Sequence, residues 1–176
     1  MRVLLLHNRY RSRGGAERAV GDITELLASR GHTVELLERS SPQASAVRAA
    51  GSLLAGGLGA DEVAAAVRRV GADVVHAHNV HPLFGWRALA AARSAGAHTV
   101  LHIHNFRLFC AIGIAYRDGA ICHRCRGRDT LPGLRLRCRG SVGEAAVYAA
   151  ALSLQQPRLF AHSDTFVTVS DALAVR

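Results

Sequence analysis

The chain has 176 residues, 49% of them apolar, with a formal net charge of +9, ten histidines and four cysteines. All 22 basic residues are arginine, which excludes a Schiff-base lysine and a Walker A lysine. No window approaches the roughly 20 apolar residues of a membrane span, and the run at residues 3–6 is shorter than the ~7–15 apolar residues of a signal peptide. A cytoplasmic protein with reduced cysteines is expected, unless a metal holds the thiols. The charge predicts a polyanionic partner: nucleic acid, an anionic membrane surface or a phosphorylated substrate. A codon bias toward arginine accounts equally well for the absence of lysine.

"RVLLLH" at residues 2–7 is a continuous apolar run, the pattern of a buried parallel strand. A polar loop, "NRYRSRGG", follows. Apolar residues then recur at Ala16, Val20, Ile23, Leu26 and Leu27, which is helical spacing, and Gly31 ends it. "HTVELLE" reads as a second strand. An alanine-rich stretch interrupted by glycines runs from about 44 to 58. "ADEVAAAVRRVG" has acids at its start and arginines near its end, as the helix dipole favours. "ADVVHAH" is a third strand, "GWRALAAARSAG" a helix and "AHTVLHIH" a fourth strand. Residues 105–140 break the alternation and are rich in Arg, Cys and Gly. Ser141 and Glu144 fit a capping box before "AAVYAAALSLQQ", which Pro157 is expected to end or kink. "TFVTVS" is a last strand, and Ser170 and Asp171 start another helix. The alternation predicts an α/β domain: a doubly wound, Rossmann-like parallel sheet with a cysteine-rich insertion. Because "SDALAVR" stops inside a helix, the chain reads as a fragment or a truncated product of something longer.

Ligands of such sheets bind at the carboxyl ends of the strands. Gly14 and Gly15 stand there, at the mouth of the first helix, where free amides and the dipole favour an anion. There is no G-x-G-x-x-G, so a dinucleotide fingerprint is absent, and two glycines before a helix also suit a plain tight turn.

Four motifs in order carry a family resemblance. They are "GGAERAV" (14–20) with "GHTVELL" (31–37), "ADVVHAHN" (72–79), "TVLHIHN" (99–105) and "DTFVTVSDAL" (164–173). Together they resemble the N-terminal domain of the family-4 retaining glycosyltransferases, enzymes of the GT-B fold with two Rossmann-like domains facing across a cleft. The resemblance covers essentially the whole chain. It implies a nucleotide-sugar donor as co-substrate, transfer with retention and no catalytic metal. It also implies that Gly14 and Gly15 approach the donor diphosphate and that His104 is the active-site histidine beside the transferred sugar. Asn105 stands where the family usually has Asp. Glu17 sits in the first motif and takes a capping or dipole role. The family's donor-binding domain, with its paired glutamates, is absent from these residues. The chain alone is therefore expected to lack appreciable transferase activity, and a second chain carrying the donor domain would restore it.

His76 and His78 share one strand face, as do His102 and His104. His76 and His102 read as buried, hydrogen-bonded core histidines. His78 and His81 read as lining the acceptor side of the cleft. The two H-x-H-N strings also suit a metallohydrolase, but Asn79 and Asn105 stand where its carboxylate would be needed.

Cys110, Cys122, Cys125 and Cys138 follow the pattern C-x11-C-x2-C-x12-C. The C-x2-C step suits two thiolates on one tetrahedral ion, and the segment has too little apolar content to order itself by burial. Structural zinc is the first reading; free or oxidised thiols and an iron–sulfur cluster are the others. Arg107, Arg117, Arg124, Arg126, Arg128, Arg135, Arg137 and Arg139 crowd the same segment, opposed by Asp118 and Asp129. That raises an alternative function, a zinc-stapled non-catalytic module for nucleic acid or another polyanion. The spacing matches no standard nucleic-acid finger. A lid over the acceptor site, or a peripheral patch touching anionic lipid at the inner membrane face, fits the position better.

Overall fold

The structure, a computed structural model, describes residues 1–10 and 14–175; residues 11–13 of the expected glycine loop lie outside them. Strand β1 (Arg2–Arg9) leads to helix α1 (Gly15–Ser29) and β2 (Thr33–Ser40). Helices α2 (Ala46–Ala55) and α3 (Ala60–Val70) precede β3 (Val74–His78), α4 (Gly85–Ser94) and β4 (His98–Ile103). The cysteine-bearing segment holds a short hairpin, β5 (Tyr116–Arg117) and β6 (Ala120–Ile121), and helix α5 (Leu131–Arg135). Then come α6 (Val142–Ala161), β7 (Thr165–Thr168) and α7 (Asp171–Ala174).

The main sheet has the order β2-β1-β3-β4-β7 and is parallel throughout. The fold class read from the alternation is the one observed. Chain order reverses direction at β1, so β1 and β3 flank a topological switch point. Side chains alternate faces along each strand. One face sends Leu4, Leu6, Val75, Ala77, Leu101 and Ile103 into the main core, against α3, α4 and α6. The opposite face has a smaller cluster, Val3 and Leu5 against Val20 of α1. Of the apolar positions that mark α1 in the sequence, only Val20 is buried, while Leu26 is 54% exposed.

Two expectations about α6 need correction. The helix continues through Pro157 to Ala161. Proline removes one amide and its bond, but the helix buries residues along its length, including Leu152 and Leu159, and tertiary packing carries it through. The capping box is only half made. The Ser141 hydroxyl accepts from Glu144 N, whereas the Glu144 carboxylate pairs with Arg139.

Two backbone stretches meet beside the loop that leaves β3. Leu58 N donates to Leu83 O at 2.9 Å, and Arg87 N to Gly56 O at 3.1 Å. Arg39 ties the junction, donating from Nη1 to Leu58 O (2.6 Å) and Leu83 O (3.0 Å) while lying over the Phe84 ring. A Cβ at Gly57 (φ +110°) would fall 1.6 Å from Phe84 O, and one at Gly85 (φ +61°) 2.0 Å from Gly56 O. No helix among the described residues is long and apolar enough to cross a membrane.

Gly57→Ala combines left-handed strain with a backbone clash, so it should cost more than about 2 kcal/mol in urea unfolding. Gly96→Ala, at φ +95° with open space around it, should cost less. Equal unfolding midpoints for the two variants would refute the close-packing account.

Candidate functional site

The carboxyl ends of β1, β3 and β4 place five histidines together. The pairing puts His7 opposite His78 and His78 opposite His102. His76 precedes His78 by two residues and His104 follows His102 by two, so all five share the face that carries α1. His7 and His78 are buried, and His76, His102 and His104 are half-buried. The rings lie close, with centroids 4.1 Å apart for His102 and His104 and 4.3 Å apart for His76 and His78. His78 Nδ1 and His104 Nε2 share a hydrogen bond of 2.8 Å.

Burial disfavours the charged imidazolium, and a charge on one ring would disfavour charge on the next. Burial lowers His76 and His104 to about 4, with His102 adding to the effect in each. Burial lowers His7, His78 and His102 as well; for His7 the Glu17 carboxylate partly opposes it. The cluster is therefore neutral at pH 7, despite the positive net charge of the chain.

Glu17 closes the loop between β1 and α1. Its carboxylate accepts from Gly14 N (2.8 Å) and Tyr10 N (3.3 Å), and Oε1 lies 3.7 Å from His7 Nε2. The capping role read from the sequence is made by this side chain. Gly14 caps α1 in an extended conformation, φ −141°. A Cβ at Gly14 would meet only Glu17, at 3.6 Å, and one at Gly15 would meet open space. Among the described residues, no contact demands glycine at either position. A hollow of about 550 Å³ opens beside them, lined by His7, Arg9, Gly14, Glu17 and Arg18 among others. A second hollow, about 400 Å³, lies beyond β2 and is lined in part by Arg9, Ser40, Gln43 and Arg48.

His104 also lines a narrow cleft with Tyr10, Asn79, His81, Asn105 and Arg107. The Asn105 side chain accepts from Arg107 N at 2.9 Å and so begins the turn after β4. The Arg107 guanidinium lies over the Tyr10 ring, 4.7 Å from its centroid, and its Nε is buried without a partner. Asn79 sits at φ +48° with a buried, unpartnered Nδ2. Helix α6 fixes this wall. Tyr148 donates to Arg107 O, Gln156 Nε2 to Leu108 O (2.7 Å), and Gln155 Oε1 meets His81 Nε2 (3.1 Å).

Sequence reading gathered Gly14, Gly15, His78, His104 and Asn105 at the sheet's carboxyl edge, and they lie there, but His78 is fully buried and does not line the cleft as expected; it backs His104 instead. It missed His7, Tyr10 and Gln155; the one visible signal was the polar pair Gln155-Gln156 inside an alanine- and leucine-rich helix. For His76 and His102 it expected hydrogen-bonded core residues. Both are half-buried, and His76 Nε2 and His102 Nδ1 lack partners.

Cys110, Cys122, Cys125 and Cys138 are half-buried free thiols that line one cavity of about 130 Å³. Arg117 Nη1 donates to Cys138 Sγ at 3.3 Å and to Leu136 O at 3.0 Å. Gly133 admits the close approach of the segment's walls, since a Cβ there would fall 2.2 Å from Ala111 Cβ. Among the described residues, the set of three metal-type ligand atoms close enough to share an ion is that of His76, His78 and His102.

A parallel sheet with polar residues at the switch point, beside a helix N-terminus, defines a Rossmann-like domain. A family model described as "Glycosyl transferase 4-like domain" matches residues 14–175. The chain belongs to that family. Among solved structures it is similar to the UDP-glucose 4-epimerase of Thermus thermophilus, crystallised in complex with NAD, at 16% identity and a TM-score of 0.45. The match covers 96% of this chain and 54% of the epimerase, so the chain spans about half the length of that protein. No curated protein matches the chain.

Because the folded cluster binds protons less readily than unfolded histidine, the unfolded state takes up more protons as pH falls below about 6.5. The stability held by the neutral cluster is full above that pH and drains as pH falls toward 4, where His76 and His104 titrate in the folded chain. The urea midpoint should decline steadily across this window. A midpoint flat down to about pH 4 would contradict the burial of the cluster.

Proposed function

We propose that the chain is the acceptor-side domain of a retaining glycosyltransferase that takes a nucleotide-sugar donor. The observation that carries the reading is the pair Gly14 and Gly15. No contact among the described residues requires them, and they stand at a helix N-terminus beside a hollow on the same sheet edge as His104. A diphosphate there would meet unblocked backbone and the positive end of α1. His104 then stands beside the donor sugar as a neutral hydrogen-bonding group, held by His78. Asn105 orders the turn that follows, and Arg107 supplies a cation nearby. The hollow with Arg9 and Arg48 suits a polar or phosphorylated acceptor. The donor's nucleotide falls to a second domain, carried by further sequence or by another chain, so the 176 residues alone are inactive.

The cysteine segment takes a structural role in this reading. Four thiols line one small cavity, though their sulfurs are not gathered as closely as the nitrogens of His76, His78 and His102; a tetrahedral zinc ion would draw them together and order a segment with little core of its own. Its exposed arginines, Arg124, Arg126, Arg128, Arg135 and Arg137, suit an acceptor presented at an anionic membrane surface.

The test uses the chain together with its donor-binding domain. His104→Ala should lower kcat by at least ~10²-fold with the circular dichroism unchanged, and Gly15→Val should raise the donor KM. NMR of the product should show the donor's anomeric configuration. Full activity in His104→Ala, or an inverted product, would end the reading.

Zinc is tested separately. Cys110→Ser should lower the zinc content and loosen the segment to proteolysis. Unchanged zinc content in that variant would remove the thiol site.

A further inference from the structure

We propose that His76, His78 and His102 form a binding site for one divalent transition-metal ion of the zinc, cobalt or nickel type, on the α1 face of the sheet. The site is separate from the cysteine segment and stands whether or not the chain transfers sugar.

Strand geometry makes the trio. His76 and His78 project from the same face of β3, and β4 sets His102 directly opposite His78. One ring nitrogen of each comes within 4.8 Å of the others. In a tetrahedral zinc site with Zn–N of about 2.0–2.1 Å, ligand nitrogens stand roughly 3.3 Å apart. The His76 and His102 rings lie nearly parallel, 6° between planes with centroids 5.3 Å apart, so both must turn about their side-chain torsions to aim their lone pairs at one ion.

Each of the three rings also has a buried nitrogen without a partner among the described residues. His76 Nε2, His78 Nε2 and His102 Nδ1 are all buried with no hydrogen bond. Leaving a buried polar atom unpaired costs about 1–3 kcal/mol each, and a shared ion would relieve all three.

The donor set selects the metal. Three imidazoles without a carboxylate suit zinc, cobalt, nickel or copper and not magnesium or calcium. Three protein ligands also leave a fourth position open.

An outer partner is in place. His78 uses Nδ1 to meet His104 Nε2 at 2.8 Å, and its Nε2 is the unpartnered atom. An ion on Nε2 obliges Nδ1 to carry the proton, so His78 donates and His104 Nε2 accepts. Metal binding thereby fixes the tautomer of His104.

The test uses the untagged, metal-stripped 176-residue chain titrated with Co²⁺ at neutral pH, with and without prior alkylation of the thiols. We expect one equivalent of cobalt that survives alkylation, with visible ligand-field bands and no thiolate-to-cobalt charge-transfer band. His76→Gln and His102→Gln should each weaken it at least ~10-fold, and His104→Gln, as the outer partner, by a similar factor. As a check that needs no variant, Zn²⁺ should shift the imidazole ¹⁵N signals of His76, His78 and His102 in the native chain. Cobalt binding that disappears on alkylation, affinity unchanged in folded His76→Gln and His102→Gln, or imidazole signals unmoved by Zn²⁺ would each overturn the site.

Discussion

The in-register parallel pairing of β1, β3 and β4 is the constraint on which both the core and the site rest. Because side chains alternate along a strand, one register sends Leu4, Leu6, Val75, Ala77, Leu101 and Ile103 to the helix-covered face. The same register aligns His7, His78 and His102 on the other. A slip of one residue would bury imidazoles among the leucines and expose the leucines. The burial that stabilises the domain therefore also enforces the histidine row, and the row needs no separate device to assemble it.

The site edge is finished from the other layer. Helix α6 packs on the apolar face, yet Tyr148, Gln155 and Gln156 reach the segments that follow β3 and β4. Thr99, deep in β4, is bonded to Asp164 through its amide (2.9 Å) and its hydroxyl (2.8 Å), which ties β4 to the entry of β7. Burial of the helix and positioning of the site are one event.

Charge is handled by a division of labour. Arginine is the sole basic residue type with a permanent charge, and several arginines spend their planar donors on carbonyls: Arg39 on Leu58 and Leu83, Arg117 on Leu136, Arg139 on Ala111. These bonds staple loops to their neighbours. The histidines meanwhile are kept neutral by burial. A strongly positive chain thus holds an uncharged cluster at its sheet edge.

The sequence by itself determined the α/β alternation, the strand and helix types, the glycine loop, the edge position of His78 and His104, and the cysteine segment. Each rests on a local signal: an apolar run, a period of 3.6, a capping residue or a close spacing. It could suggest that His76 and His78 share a face, since that follows from period two. It could not place His102 against His78 or bring His7 to them, because pairing across strands depends on register between residues far apart in the chain. Nor could it foresee that Pro157 would be carried through α6, or that Asn79 and Arg107 would meet at one cleft. Those outcomes belong to tertiary packing, which decides what surrounds each side chain and so whether a histidine is a filler or a ligand.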